Sequence, residues 1–154
     1  SSAGRLFDAV AALLMICPVA GHHAEAPMLL EAQVNPQIEE EYSLSPESPV
    51  DLRPMITGLL GDIEKKREPG FIAARFHNTI VSLNFAIAGQ IRKERGINRV
   101  ALSGGVFQNR YILEKTEDVL NKNGFETFSN QQVPANDAGI SLGQLAIAAC
   151  RNKK

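Results

Sequence analysis

Apolar residues recur at helical spacing along most of the chain, so the pattern predicts a helix-rich protein. The most regular helix is predicted over residues 71–95, where apolar side chains lie three or four positions apart. Short apolar runs predict strands at residues 99–102 and near 125–128. Further helices are predicted at residues 3–16, 25–33, 54–67 and 108–123 and from residue 136 onwards.

The regular pattern is lost over residues 34–53. This stretch contains several prolines and the acidic triplet Glu39-Glu40-Glu41, with only short extended candidates. Proline cannot donate a backbone hydrogen bond, and clusters of proline and polar residues favour turns. We therefore expect a β-hairpin or loop excursion at the surface.

Length and composition predict one domain with a substantial core, since the chain has 154 residues and 44% hydrophobic content. The formal net charge is −1, which predicts no broad basic surface for nucleic acid or anionic lipid. No apolar run approaches the ~18 residues of a membrane span.

The two cysteines, Cys17 and Cys150, lie far apart and suggest neither a disulfide framework nor a metal site, so a cytoplasmic location is the simplest expectation. The chain opens on a predicted helix and not on a signal peptide, which suggests a piece of a longer protein.

A tight glycine turn is expected where the strand at residues 99–102 meets the next helix. Ser103-Gly104-Gly105 occupies this position. A strand end that feeds a helix N-terminus presents unpaired backbone N–H groups, and glycine lets a ligand approach the backbone closely. A nucleotide phosphate or ribose is the natural ligand, although these glycines alone are equally compatible with a simple sharp turn.

Three polar residues have both a binding and a structural interpretation. Asn109 could contact a ribose hydroxyl or cap the helix that follows the glycine turn. Asp137 could bind a metal ion or favour a helix start through the helix dipole. Asp8 could bind a ribose or pair with Arg5, three residues earlier.

The histidines give weaker indications. His22 and His23 precede Glu25, but adjacent histidines point apart and no third histidine or cysteine lies nearby, so a metal cluster is not favoured. His77 lies off the apolar stripe of its helix and is interpreted as a structural hydrogen-bonding residue. The chain has no Walker lysine motif, no G-x-G-x-x-G and no Ser/His/Asp order. Two classes remain: a nucleotide-binding lobe of an enzyme and a noncatalytic α/β interaction domain.

Four ordered motifs extend over nearly the whole chain and resemble the C-terminal part of the HypF family, the carbamoyltransferases of nickel–iron hydrogenase maturation. The motifs are Gly4-Arg5-Leu6-Phe7-Asp8, Ala73-Ala74-Arg75-Phe76-His77-Asn78-Thr79, Ser103-Gly104-Gly105-Val106-Phe107-Gln108-Asn109 and Pro134-Ala135-Asn136-Asp137. The resemblance implies an α/β fold, one lobe of the actin/hexokinase/Hsp70-like (RNase H-like) ATPase fold, helix-rich with a small mixed sheet. Residues 1–154 would form the C-terminal lobe of the carbamoyltransferase domain.

The resemblance also implies an activity. HypF proteins make carbamoyl-adenylate from carbamoyl phosphate and ATP, and they transfer the carbamoyl group to the C-terminal cysteine of a HypE acceptor protein. The expected partners of this lobe are therefore a HypE-like protein, carbamoyl phosphate, and the upstream lobe and domains of the same polypeptide. The expected cofactors are ATP and a divalent metal or iron ion, partly liganded from outside this chain.

Site residues are carried over by their motif positions. Asp8 resembles the carboxylate that holds the ribose, and Asn109 resembles the asparagine that contacts the nucleoside. Gly104 and Gly105 would let the backbone lie against the nucleotide. Asp137 resembles the one metal ligand that this half supplies, while the family's two metal-binding histidines come from an upstream motif that this chain lacks. No catalytic residue is assigned, and the isolated chain is expected to be inactive.

One segment departs from the family pattern. HypF proteins usually read Tyr-Glu-Gly-Gln-Ala-Ala where this chain has His22-His23-Ala24-Glu25-Ala26-Pro27. Glu25 then belongs to the nucleotide-binding candidates, and its charge near the phosphates predicts weaker binding or a divergent protein. The departure favours a noncatalytic nucleotide-binding or scaffold domain as an alternative. A second alternative is a TsaD-like tRNA threonylcarbamoyltransferase subunit, against which Phe107-Gln108 and the Ala-Arg-Phe-His-Asn segment argue.

Overall fold

The computed structural model describes residues 3–44 and 50–151. This part of the chain contains six α-helices, two β-strands and two 3-10 turns in an α/β arrangement rich in helix. The elements are α1 (Ala3–Leu13), α2 (Glu25–Ala32), α3 (Arg53–Glu64), α4 (Pro69–Arg95), β1 (Arg99–Leu102), a 3-10 turn (Gly105–Gln108), α5 (Arg110–Lys122), β2 (Glu126–Ser129), a second 3-10 turn (Asp137–Gly139) and α6 (Ile140–Arg151). No helix among them is both long enough and apolar enough to cross a membrane.

The main core lies where α1, α2 and α3 pack against the N-terminal half of α4. Phe7 of α1 and Phe76 of α4 are both fully buried, and their rings meet edge to face with centroids 4.9 Å apart. This geometry is favoured by the quadrupoles of the two rings. The long helix predicted from its apolar spacing is therefore the element on which the other helices assemble.

The ends of α1 and α4 lie close to residues with a left-handed backbone. α1 ends at Leu13, earlier than the expected residue 16, because Met15 adopts a left-handed φ of 56° and interrupts the helix. α4 ends at the expected glycine: Gly96 has φ 70° and donates its N–H to the carbonyl of Arg92 over 2.8 Å.

The described residues form a two-stranded parallel sheet, and not the mixed sheet that was expected. β1 pairs with β2 in a register that places Leu102 beside Ser129. Parallel strands need a crossover connection, which α5 provides, whereas a mixed sheet would need an antiparallel neighbour. A second, smaller core of Ala88, Leu102, Leu120 and Phe125 lies between this sheet, α4 and α5.

Residues 34–44, where a hairpin or loop excursion was expected, contain no strand, and residues 45–49 lie outside the described part. The backbone of this segment is bound by side chains of α4 in place of a partner strand. The Asn78 amide donates to the carbonyls of Ile38 and Glu40 over 2.9 and 3.0 Å. The N–H of Tyr42 donates to the Thr79 hydroxyl over 2.8 Å.

The Tyr42 side chain anchors this segment in the core. Its hydroxyl donates to Asp62 over 2.9 Å, and Asp62 also pairs with Arg75 at 2.5 Å. The Arg75 guanidinium lies 4.1 Å from the centroid of the Tyr42 ring. Burial, followed by the bond to Asp62, raises the pKa of Tyr42 well above its ordinary value. The segment is thus partly interior, although its sequence is rich in turn-forming residues.

Candidate functional site

The glycine turn lies directly after β1. Gly104 has φ 109° and ψ 164°, a conformation that an L side chain rarely adopts, and its carbonyl accepts the N–H of Phe107 over 3.0 Å. A Cβ placed on Gly104 or Gly105 would meet no atom within 4 Å. The two glycines therefore leave the backbone open to solvent on the side where a ligand could approach.

A hydrogen bond joins this turn to the Pro-Ala-Asn-Asp motif. The N–H of Gly104 donates to the carbonyl of Ala135 over 2.8 Å. In the second motif Asn136 accepts the N–H of Ala138 over 3.0 Å, and Asp137, which is exposed, begins the 3-10 turn before α6. The structure thus brings together Gly104, Gly105 and the loop that carries Asp137.

Asn109 lies beneath the turn as the N-cap of α5. Its Oδ1 accepts the N–H of Ile112 over 2.9 Å, and its Nδ2 lies 3.0 Å from Nε2 of His77. The residue is only 8% exposed. The capping role is therefore present in the structure, while the nucleoside contact stays a prediction that would have to use the second amide hydrogen.

His77 is completely buried at the point where α1, α4 and α5 meet. Its Nδ1 lies 2.7 Å from the carbonyl oxygen of Ala73, and its ring meets those of Phe7 and Tyr111 edge to face at 5.5 and 5.7 Å. Burial lowers the pKa of His77 to about 4, so the imidazole is neutral at physiological pH. The sequence indicates that His77 is a structural hydrogen-bonding residue, but its partner Asn109 is distant in sequence and only the fold brings the two together.

Asp8 lies on α1 and Glu25 begins α2, and these two helices pack against each other. Burial raises the pKa of the Cys17 thiol, and the carboxylates of Glu25 and Asp8 raise it further. Asp8 is exposed on α1, and α1 contacts the 3-10 turn that follows Gly104. The helix that carries Asp8 therefore adjoins the glycine turn, and its ribose role stays a prediction.

Glu25 closes the local turn before α2. Its carboxylate accepts the N–H of Gly21 over 2.5 Å and lies 4.0 Å from Nε2 of His22. Ala24, which stands where HypF proteins usually have glycine, has φ 63° and ψ 10°. Alanine therefore adopts a left-handed backbone at this position, which glycine would adopt more easily.

Asp137 supplies a single carboxylate at the candidate metal position. In residues 3–44 and 50–151, no group of three or more histidine, cysteine, aspartate or glutamate side chains could hold a metal ion. A specific transition-metal site usually needs at least three protein donors. A metal at Asp137 would therefore need donors from beyond the described residues.

Comparison with known proteins identifies the family. A model described as "Carbamoyltransferase, Kae1-like Domain, second subdomain" matches residues 1–144. The chain belongs to this carbamoyltransferase family. Carbamoyltransferase HypF of Synechocystis sp. is 38% identical over 151 residues, covering 94% of this chain and 19% of the relative. The HypF of Rhizobium leguminosarum is 36% identical, covering 96% of this chain and 19% of the relative.

Solved HypF structures have the same fold as this chain. A full-length HypF crystallised in a phosphate- and nucleotide-bound form superposes with a TM-score of 0.88 and 44% identity, covering 96% of this chain and 20% of that one. The HypF of T. kodakarensis gives a TM-score of 0.77 with 26% identity, covering 99% of this chain and 20% of that one. The chain thus spans about one fifth of the HypF proteins that it matches.

Proposed function

We propose that this chain is the nucleotide-binding C-terminal lobe of a HypF-type carbamoyltransferase. The whole protein would form carbamoyl-adenylate from carbamoyl phosphate and ATP, with release of phosphate and pyrophosphate. It would then pass the carbamoyl group to the thiol of the C-terminal cysteine of a HypE-like acceptor, with release of AMP. The observation that carries the proposal is the bond from Gly104 to Ala135, which joins an open glycine turn to the loop of Asp137 in a chain of this family. A related full-length HypF has been crystallised with phosphate and nucleotide.

The chain's own residues would bind and orient the nucleotide. Gly104 and Gly105 leave room for close approach to the backbone, and the adjoining N-terminus of α5 favours negative charge. Asp8, exposed on the neighbouring helix α1, would accept hydrogen bonds from ribose hydroxyls. ATP would supply the adenylyl group that activates the carbamoyl carbon.

A divalent metal or iron ion would be shared with the rest of the polypeptide. Asp137, exposed beside the glycine turn, would offer such a cation one carboxylate, and the ion would supply positive charge to offset that of the nucleotide phosphates. Because a single carboxylate is too few donors, the isolated chain should bind metal weakly and should not catalyse carbamoyl transfer. The upstream lobe would also exclude water from the reacting groups.

The surface of the chain supports packing against an upstream lobe. α6 has no buried residue, and Ile140, Leu142, Leu145 and Ile147 are all more than half exposed. β1 forms one edge of the described sheet, beside exposed apolar side chains of α4 such as Ile87 and Ile91. Exposed apolar surface of this extent is typical of an interface. The remaining four fifths of a HypF-like polypeptide would supply the covering elements.

The test is ATP–pyrophosphate exchange that depends on carbamoyl phosphate, measured on the whole protein. Reversible formation of an adenylate predicts exchange with carbamoyl phosphate and none without it. Asp8→Asn should weaken ATP binding about fivefold to tenfold, in line with the loss of one charged hydrogen bond. Asp118→Asn is the matched control, since Asp118 is an exposed carboxylate on α5 paired with Lys122. Equal exchange in Asp8→Asn and Asp118→Asn would contradict the ribose role of Asp8. Absence of exchange in the wild type would overturn the proposed function.

A noncatalytic nucleotide-binding domain is the second candidate. The strained Ala24 and the carboxylate of Glu25, both in the segment that departs from the family pattern, favour it. Such a protein would bind an ATP analogue in calorimetry but would show no carbamoyl-phosphate-dependent exchange. The two measurements together therefore separate the candidates.

A further inference from the structure

The hydrogen bonds around His77 and Asn109 leave only one consistent assignment of donors and acceptors. A backbone carbonyl can only accept, so Nδ1 of His77, 2.7 Å from the Ala73 oxygen, carries the proton and Nε2 is an acceptor. A backbone N–H can only donate, so the N–H of Ile112 fixes Oδ1 of Asn109 as the cap of α5. The Nδ2 of Asn109 is then the donor to Nε2 of His77, 3.0 Å away.

This arrangement gives the Asn109 side chain a single orientation. A flipped amide would place Nδ2 against the N–H of Ile112 and Oδ1 against the lone pair of Nε2, so both bonds would be lost at once. The backbone of Asn109 is also part of the glycine turn, since its N–H donates to the carbonyl of Val106 over 3.1 Å. The orientation of one amide is therefore coupled to the geometry of the turn and to the start of α5.

We propose that His77 is a positioning residue for the candidate nucleotide site: it holds Asn109 so that α5 begins directly after the turn and Gly104-Gly105 stays open. The expected effect of His77 on nucleotide affinity rests on the proposed function. Its expected effect on the geometry of the turn does not. The role needs one donor and one acceptor on opposite sides of a side chain in an aromatic pocket. Phe7, Phe76 and Tyr111 form that pocket.

Two substitutions at position 77 separate positioning from simple space filling. His77→Leu keeps an apolar side chain but removes both hydrogen-bonding atoms, whereas His77→Gln keeps one acceptor and one donor. Amide hydrogen exchange of the whole protein, read by mass spectrometry, should become about tenfold faster across residues 103–113 in His77→Leu. It should stay within twofold of wild type in His77→Gln. A loss of packing alone would speed exchange along α4 in both variants.

Nucleotide affinity provides the second measurement. Binding of an ATP analogue by the whole protein should weaken about fivefold to tenfold in His77→Leu and recover in His77→Gln. A wild-type protein that binds no nucleotide would overturn the proposed function, while the exchange experiment would still test the positioning role. Unchanged exchange at residues 103–113 in a folded His77→Leu protein would overturn the positioning role.

Asn109→Ser keeps the proposal testable if His77→Leu does not fold. Serine is a good N-cap, so the bond to the Ile112 N–H is retained, but its side chain ends one bond closer to the backbone and has no amide to offer His77. Faster exchange at residues 103–113 is expected in this variant. Exchange equal to that of the wild type would show that capping alone fixes the turn and that His77 is not needed.

Discussion

The backbone N–H of Gly104 donates a 2.8 Å hydrogen bond to the carbonyl oxygen of Ala135. This bond joins two loops that are distant in sequence and that carry Gly104-Gly105 and Asp137. The same residue has an unusual backbone, with φ 109°. The candidate site therefore depends on a conformation that only glycine adopts without strain.

Gly104→Ala should destabilise the chain by about 1–3 kcal/mol, because alanine is strained at this φ even though its Cβ would meet open space. Gly105→Ala is the matched control, since its φ is not positive and its Cβ would also be unobstructed. Urea unfolding of the two variants would measure the difference. Nucleotide binding gives a further distinction: Gly105→Ala should weaken it without loss of stability, if the nucleotide lies against this backbone. Equal unfolding of both variants would contradict the assigned strain.

Ala24→Gly should stabilise the chain by about 1 kcal/mol. Ala24 has a left-handed φ of 63°, which alanine adopts at a cost that glycine does not have. Ala9→Gly is a control of opposite sign, because Ala9 is exposed within α1 and glycine costs about 1 kcal/mol in a helix. Thermal unfolding should therefore shift upwards for the first variant and downwards for the second. A downward shift for Ala24→Gly would show that the turn does not strain alanine.

Stability should fall as the pH falls from about 6.5 to 4, in part because of His77. The pKa of His77 is about 4 in the folded chain and 6.5 as its ordinary value, so in this window the unfolded chain binds a proton that the folded chain does not. The full loss from this residue is about 3 kcal/mol, with no further loss below pH 4. His77→Gln should lack this component. Urea unfolding of the wild type and of His77→Gln at several pH values would measure this loss of stability. Parallel profiles of stability against pH for the two proteins would contradict the prediction.

Much of the fold could be predicted because it is encoded locally. The apolar spacing of α4, the glycine at its end and the short run of β1 each give a local signal, and the structure confirms these elements within a few residues. The irregular segment before α3 was harder to predict. Its backbone is bound by Asn78 and Thr79 of α4, and no local pattern shows that side chains of a distant helix will replace a partner strand.

The candidate site was predictable as a set of motifs but not as a network. Sequence motifs indicated Asn109 and His77 separately, Asn109 as a helix cap or a ribose contact and His77 as a structural hydrogen-bonding residue. Only the fold shows that these residues bind each other, that Gly104 binds Ala135, and that Ala24 has a left-handed backbone. Contacts between residues so far apart in sequence depend on how the helices pack, which local propensity does not determine.

Two glycines of α3 provide a test of the packing around Tyr42. A Cβ on Gly58 would lie 2.8 Å from Cδ1 of Tyr42, whereas a Cβ on Gly61 would meet no atom within 4 Å. Gly58→Ala should therefore destabilise the chain by about 1–3 kcal/mol through overpacking. Gly61→Ala should stabilise it by up to about 1 kcal/mol, because alanine is the better helix former.

A double-mutant cycle would assign the cost of Gly58→Ala to the Tyr42 ring. In a Tyr42→Ala background the ring is gone, so Gly58→Ala should change from destabilising to neutral or stabilising, as Gly61→Ala does. Urea unfolding of the four proteins of the cycle would measure the coupling. Additive effects would mean that the ring moves aside at no cost. The segment at residues 38–44 would then be held by its backbone bonds to Asn78 and Thr79 and not by a ring confined between Gly58 and the Arg75 guanidinium.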